Sequence, residues 1–288
     1  MSKILLITGP TAIGKSTYAV EQSLKLDGEI ISADSMQIYR HMDIGTAKPT
    51  KKELQQVPHH LIDIVDPEQP FSVSNYVEKF KEAKATIESK GRLPIVVGGT
   101  GLYLTALLKG FRFPVLPAQP QIRQRLREEA NAQGGQVLHD RLKKIDPVSA
   151  ARLHPNDHFR VIRALEVGMI SGKPLSAQQK KGDPILDQYR LQCLTAPREV
   201  IYRRIEERVD KMIQDGLIEE VQKLLAMGYN KNLTALKALG YKEVIEHLAG
   251  KYTKEELEGL IKQRTRNFAK RQMTWFRSFK NIEWIDIK

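Results

Sequence analysis

A chain of 288 residues has the length for one large domain or two smaller ones. Its 41% hydrophobic and 28% charged residues read as soluble and globular, and no uncharged apolar run approaches the roughly 18 residues a membrane helix needs. A lone cysteine, Cys193, excludes an internal disulfide or a zinc-thiolate site. The chain opens directly on a strand pattern, which leaves no room for a signal peptide and predicts a cytoplasmic protein. The formal net charge of +12 is unevenly placed: residues 1–115 carry 14 Lys and Arg against 12 Asp and Glu, and residues 116–288 carry 32 against 22. That asymmetry suits a polyanionic partner met by the second part, or a solvated basic surface.

The first apolar run, Ile4-Leu5-Leu6-Ile7, predicts a buried strand. It leads into Gly9-Pro10-Thr11-Ala12-Ile13-Gly14-Lys15-Ser16 and then Thr17-Tyr18-Ala19-Val20, which can begin a helix. Strand, glycine loop and helix start are the setting that G-x-x-x-x-G-K-[ST] requires of a phosphate-binding loop. Glycines let successive N–H groups converge on an anion, and the helix dipole adds positive charge. Lys15 supplies a mobile ammonium and Ser16 a hydroxyl able to hold Mg2+. The ligand is a diphosphate or triphosphate group.

Glu29 to Ser35 forms a second strand pattern ending in Asp34, which should emerge beside the phosphate loop where parallel strands end. Its carboxylate can act as a general base or cap the turn that follows. Residues 36–49 read as a polar loop, and His59 to Pro67 as a third strand with a turn after it. Adjacent His59 and His60 lack metal-ligand spacing. Tyr76, Phe80, Ala83 and Ile87 recur at helical intervals. Leu93 to Val97 then predicts a buried strand ending in Gly98-Gly99-Thr100, where many phosphate-loop NTPases carry an acid; none stands here.

From Val115 the texture changes, with Pro114, Pro117 and Pro120 ahead of an Arg-rich helical pattern from Gln121 to Leu142. Arg160 and Arg163 share a helix face and could grip phosphates, and Gly172-Lys173-Pro174 stops that helix. Tyr189 to Leu194 returns to strand. A long helix with Ile201, Ile205, Val209, Met212, Ile213 and Leu217 on its buried stripe follows, and Arg204 and Arg208 share one of its faces. Residues 262–280 hold seven basic residues and no acidic one, interleaved with Phe268, Trp275, Phe276 and Phe279, which suit bases and phosphates or a core. The predicted fold is α/β: a P-loop NTPase-like parallel sheet flanked by helices, built from residues 1–114 and 188–288, with a mainly helical insertion at 115–187.

With these residues collected, the chain resembles the tRNA dimethylallyltransferases, also called tRNA isopentenyltransferases. The resemblance rests on GPTAIGKS at 9–16, SADSMQIYRHMDIGTAKP at 32–49, HHLIDIVDP at 59–67, GGTGLYL at 98–104, HPNDHFRVIRALEV at 154–167, ISGKP at 170–174, LGYKE at 239–243 and KRQMTWFR at 270–277. It implies transfer of a dimethylallyl group from dimethylallyl diphosphate to N6 of adenosine 37, in tRNAs that read codons beginning with U. Gly9, Thr11, Ala12, Gly14, Lys15, Ser16 and Thr17 would hold the diphosphate, with Mg2+ on Ser16 and Arg208 as a further ligand. Asp34 would take the N6 proton and Thr100 would orient the amine.

The tRNA anticodon stem-loop would meet four segments: Asp34, Ser35, Met36 and Gln37; Phe159, Arg160, Val161, Ile162 and Arg163 in the insertion; Lys237, Gly240, Tyr241 and Lys242; and Lys270, Arg271, Gln272, Trp275 and Arg277. The adenine would be flipped out of its stack. The enzyme would work as a monomer, away from membranes. From the residues alone, a nucleoside or metabolite kinase and an RNA-binding ATPase remain rivals, since both use the same loop.

Overall fold

The computed structural model describes residues 4–110, 119–178, 184–186 and 188–287. The chain forms two compact units, Met1–Thr105 with Leu186–Lys288, and Ala106–Ile185. The composition change at Val115, the prolines at 114 and 117 and the far boundary at residue 187 lie outside the described residues.

In the first unit the elements run β1 (Ile4–Thr8), α1 (Lys15–Leu26), β2 (Gly28–Ser32), α2 (Lys51–Gln56), β3 (His59–His60), α3 (Val73–Ser89), β4 (Leu93–Val97) and α4 (Gly101–Lys109), which crosses into the second unit after Thr105. The second unit holds α5 (Pro120–Gln133), α6 (Gly135–Ile145), α7 (Pro147–Ala150), α8 (His158–Ser171) and α9 (Leu175–Gln178). The first unit resumes with β5 (Tyr189–Thr195), α10 (Arg198–Gln214), α11 (Leu217–Ala226), a 3-10 turn (Ala235–Lys237), α12 (Tyr241–Leu248), α13 (Lys254–Phe276) and β6 (Ile282–Asp286).

The six strands form one parallel sheet in the order β3-β2-β4-β1-β5-β6. Every residue of β1 and β2 is buried, as expected of parallel strands covered on both faces. β1 lies between β4 and β5, so the phosphate loop leaves the middle of the sheet. Leu5, Ile7, Ile13, Val20, Ile30, Ile95, Leu194, Ile201 and Ile205 pack beneath it. A second apolar cluster joins Ile38, Met42, Leu217, Val221, Tyr241, Val244, Leu257 and Ile261, and anchors the loop after β2.

Three expected elements are shorter than their patterns. The third strand pairs with β2 at His59 and His60 alone, because Leu61 and Asp63 adopt left-handed φ of 64° and 55° that end the extended run, and Val65 makes an isolated bridge to Tyr39. The Arg-rich helix breaks at Gly134 (φ 86°) into α5 and α6. The long helix after β5 stops at Gln214, and Leu217 opens α11 after left-handed Gly216 (φ 99°). Each hydrophobic stripe continues across its break, so periodicity alone could not reveal it. β6 has no counterpart among the predicted elements; it pairs with β5 at the sheet edge.

The second unit packs Leu126, Ala130, Leu138, Leu142, Val161, Ile162 and Leu165 into its own core. Glu166 is fully buried there, and its carboxylate binds Arg123 twice (2.8 and 2.9 Å), Arg163 (2.6 Å) and the Gln119 N–H (2.8 Å). Two guanidiniums offset the cost of burying that charge.

Candidate active site

Gly9 and Gly14 bound the phosphate loop, and neither tolerates a side chain. Gly9 has φ of 147°, and a Cβ there would lie 2.8 Å from the Leu194 carbonyl oxygen. Gly14 has φ of 98° and opens α1, leaving the first N–H groups of that helix facing the loop. Lys15 Nζ donates to the carbonyls of Gly9 (2.9 Å) and Pro10 (2.8 Å). Burial, then the like charge of Arg208, lowers the Lys15 pKa to about 8. Ser16 is half-buried on the first turn, and its hydroxyl makes no hydrogen bond among the described residues. Ala12 is buried, Thr11 half-buried and Thr17 exposed.

Arg204 and Arg208 converge on this loop from α10. Arg204 Nη1 donates to the Ile13 carbonyl at 3.3 Å, and Arg208 Nη1 to Thr11 Oγ1 at 3.4 Å. Burial depresses the Arg208 pKa, while the Asp34 carboxylate opposes that shift. The same carboxylate attracts Lys15. Asp34, Lys15 and Arg208 therefore form one electrostatic group at the C-terminal ends of the strands.

Asp34 serves as the turn cap: its Oδ1 accepts from Met36 N–H at 2.8 Å and Gln37 N–H at 3.4 Å. Its Oδ2 makes no hydrogen bond among the described residues. The cap thus leaves one oxygen open, and the two roles weighed from sequence are compatible. Thr100 reaches the same turn, accepting from Ser35 N–H (2.9 Å) and donating to Ser35 Oγ (3.3 Å). This approach depends on Gly98, where a Cβ would sit 2.2 Å from the Ala33 carbonyl oxygen.

The loop carrying Met36 and Gln37 is fixed from below. Glu220 accepts from the N–H groups of Asp43 (2.9 Å), Ile44 (2.8 Å) and Gly45 (3.2 Å), and from Tyr241 OH (2.6 Å). The Gln37 amide binds Ser32 Oγ and the carbonyls of Thr46 and Ala47. No spacing rule in the sequence pointed to Glu220; only the fold brings α11 to this loop.

The residues expected against tRNA divide by exposure. Lys237, Lys242, Lys270, Arg271, Trp275 and Arg277 are exposed in the first unit, and Phe159 and Arg160 in the second. Side chains of Val161, Ile162, Tyr241 and Gln272 are buried, and Gly240 is buried as well. The physical reason is helical: Val161 and Ile162 fill the core of the second unit, and Tyr241 fills the cluster under the Met36 loop. Gln272 turns inward, its Oε1 accepting from Thr11 N–H (2.8 Å) and its Nε2 donating to the Gly99 carbonyl (3.1 Å). Arg163 is half-buried on Glu166. With Arg123, Arg127, His158, Phe159 and Ile162 it lines a cavity of about 250 Å³. Of the four aromatics near the C-terminus, Phe276 and Phe279 are core, while Phe268 and Trp275 are partly exposed.

Among the described residues, no cluster of three or more His, Cys, Asp or Glu could hold a metal ion, and no helix is long and apolar enough to cross a membrane.

Known proteins share this sequence and fold. A family model described as IPP transferase matches residues 37–279, and one described as isopentenyl transferase matches residues 2–67. The tRNA dimethylallyltransferase of Geobacter metallireducens is 49% identical, covering 99% of this chain and 93% of its own. That of Pelotomaculum thermopropionicum is 50% identical, covering 99% and 91%. Among solved structures, the tRNA isopentenylpyrophosphate transferase of Bacillus halodurans superposes with a TM-score of 0.72 at 44% identity, covering 99% of this chain and 90% of that one. A eukaryotic dimethylallyltransferase acting on tRNA superposes at 0.78 with 29% identity, covering 99% and 74%. A phosphate loop whose strand-four partner ends in Gly-Gly-Thr without an acid, together with these matches along the whole chain, shows that the protein belongs to the tRNA dimethylallyltransferase family.

Proposed function

We propose that this protein transfers a dimethylallyl group from dimethylallyl diphosphate to N6 of adenosine 37 in tRNAs reading codons that begin with U. One observation carries the reading: the phosphate loop faces a carboxylate with one open oxygen, Asp34 Oδ2, and β4 supplies a hydroxyl at the same turn in place of an acid. In the reaction the N6 lone pair forms a bond to C1 of the dimethylallyl group. The C1–O bond breaks and its electron pair leaves on diphosphate. Asp34 Oδ2 takes the N6 proton, and Thr100 Oγ1 aims the amine.

Negative charge grows on the leaving group, so Lys15, Arg208 and the α1 N-terminus act where they bind the transition state better than the substrate. The open Ser16 hydroxyl suits Mg2+, which keeps several waters and needs few protein ligands beside a diphosphate. Such an ion would neutralise charge on the diphosphate. The exposed cations Lys237, Lys242, Lys270, Arg271, Arg277 and Arg160 supply phosphate contacts for an anticodon stem-loop. An unpaired loop base leaves its stack at lower cost than a paired one. A monomer in the cytoplasm completes the reading.

The deciding experiment supplies labelled dimethylallyl diphosphate, Mg2+ and unmodified tRNA, with ATP in parallel. Label in tRNA, lost when adenosine 37 is replaced, supports the reading. Phosphate moved from ATP to a small acceptor, with no label in tRNA, supports a kinase.

Two further outcomes are expected. Arg160→Ala should reduce the slope of log affinity against log salt for tRNA by about 1, without lowering the melting temperature. Among the described residues Arg160 pairs only with partly exposed Asp157, whereas removing Arg163 would also uncover the buried Glu166 charge. An unchanged slope in a filter-binding titration would move the clamp elsewhere. The second concerns pH. Because free Lys15 loses its proton at about 8, binding of inorganic pyrophosphate above that pH requires proton uptake. Affinity should fall by up to about tenfold per pH unit there, relative to Lys15→Arg, whose guanidinium does not titrate. Calorimetry showing parallel profiles for the two proteins would contradict this.

A further inference from the structure

Gln272 stands on α13 among exposed cations, yet it is only 6% exposed and directs both ends of its amide inward. Oε1 holds the phosphate loop at Thr11 N–H, and Nε2 holds the Gly99 carbonyl after β4. Thr11 N–H can only donate and Gly99 C=O can only accept, so the orientation of the amide is forced. The site is fitted to this side chain, since a Cβ on Gly99 would lie 2.3 Å from Nε2. Three residues along the same helix face, the Trp275 indole N–H donates to Thr105 Oγ1 at 3.0 Å. The Trp275 ring also covers Gly101, where a Cβ would come within 2.6 Å of it. Thr100 is thus gripped on both sides, at Gly99 and at Gly101.

We propose that Gln272 is a positioning residue that sets the distance between the diphosphate cradle and the Thr100 hydroxyl. The proposal rests on the transfer reaction above. Thr11 belongs to the loop that binds the donor, and Thr100 to the turn that orients the acceptor beside Asp34. One planar amide joins the two through two hydrogen bonds. Met has neither polar group, Glu has no donor when ionised, and Asn is one carbon shorter. Removing the bridge leaves the direct contacts to each ligand in place: Lys15, Ser16 and Arg208 for the diphosphate, and the surface cations for tRNA. What changes is the relative placement of donor and acceptor, on which the rate of a two-substrate transfer depends steeply.

The test uses Gln272→Met, close in volume, and Gln272→Glu, which keeps the acceptor and repels the Gly99 carbonyl. Both should lower kcat by about 10- to 100-fold while dissociation constants for pyrophosphate with Mg2+ and for tRNA stay within about threefold. Amide exchange at Thr11 should quicken in Gln272→Met, and the melting temperature should fall by a few degrees because the Thr11 N–H and the Gly99 carbonyl lose their partner. A Gln272→Met enzyme with full kcat would overturn the proposal. So would a loss of kcat matched by equal losses in both affinities, which marks a merely structural role. Unchanged exchange at Thr11 overturns the bridge whatever the activity. Wild-type protein that labels no tRNA would instead refute the transfer reading, and the exchange measurement would still decide the bridge.

Discussion

Asp34→Asn is expected to lower kcat for tRNA modification by about 10²- to 10⁴-fold while tRNA affinity stays within about threefold. The substitution separates the two jobs of this side chain. An amide Oδ1 can still accept from Met36 and Gln37 N–H, so the turn keeps its cap. Only the proton acceptor is lost, together with the negative charge facing Lys15 and Arg208. Asp34→Ala removes the cap as well and should lose more, including some order in the Met36–Gln37 turn. If Asp34→Asn turns over at the wild-type rate while Asp34→Ala does not, Asp34 is a cap alone and the base lies elsewhere. Single-turnover assays at saturating dimethylallyl diphosphate give the rate of the transfer step free of product release.

Gly98→Ala should be nearly as damaging, and for a reason rooted in the sheet. β2 and β4 pair in register through Ser32 and Val97, so Gly98 crosses directly over Ala33. A methyl group at Gly98 would lie 2.2 Å from the Ala33 carbonyl oxygen and 2.3 Å from its carbon. Those are backbone atoms held by Ala33 N–H to the Val97 carbonyl (2.7 Å) and by Thr100 N–H to the Ala33 carbonyl (3.2 Å). They cannot yield without parting the two strand ends. The Thr100 hydroxyl would then leave Ser35, and the acceptor side of the site would separate from Asp34. Loss of activity by about 10²-fold or more is expected, with a melting temperature lowered by several degrees. A Gly98→Ala protein with normal kcat and stability would show that the Thr100–Ser35 contact is dispensable. Gly259 makes a fair control, because nothing stands within 4 Å of a Cβ there and its backbone is ordinary α-helix.

The sequence by itself determined the phosphate loop, its strand and helix, the parallel α/β class and the family. These are local properties: a glycine spacing, an apolar run and a helix start sit within a few residues of each other and carry their own physical meaning. It also pointed to Asp34 and Thr100, because the C-terminal ends of parallel strands share one crevice, whereas Arg208 as a diphosphate ligand came with the family resemblance. Tertiary structure decided which side chains of a motif look outward. Within the 159–163 and 270–277 segments the string of residues is continuous, but the helix turns Val161, Ile162 and Gln272 into the protein and leaves Arg160, Lys270 and Arg277 outside. It alone joined Glu220 to a loop 175 residues away and Gln272 to Thr11 across 261 residues of chain. Such pairings obey no period. They arise because buried N–H and C=O groups must find partners, and only the packed fold determines which side chain is near enough to supply them.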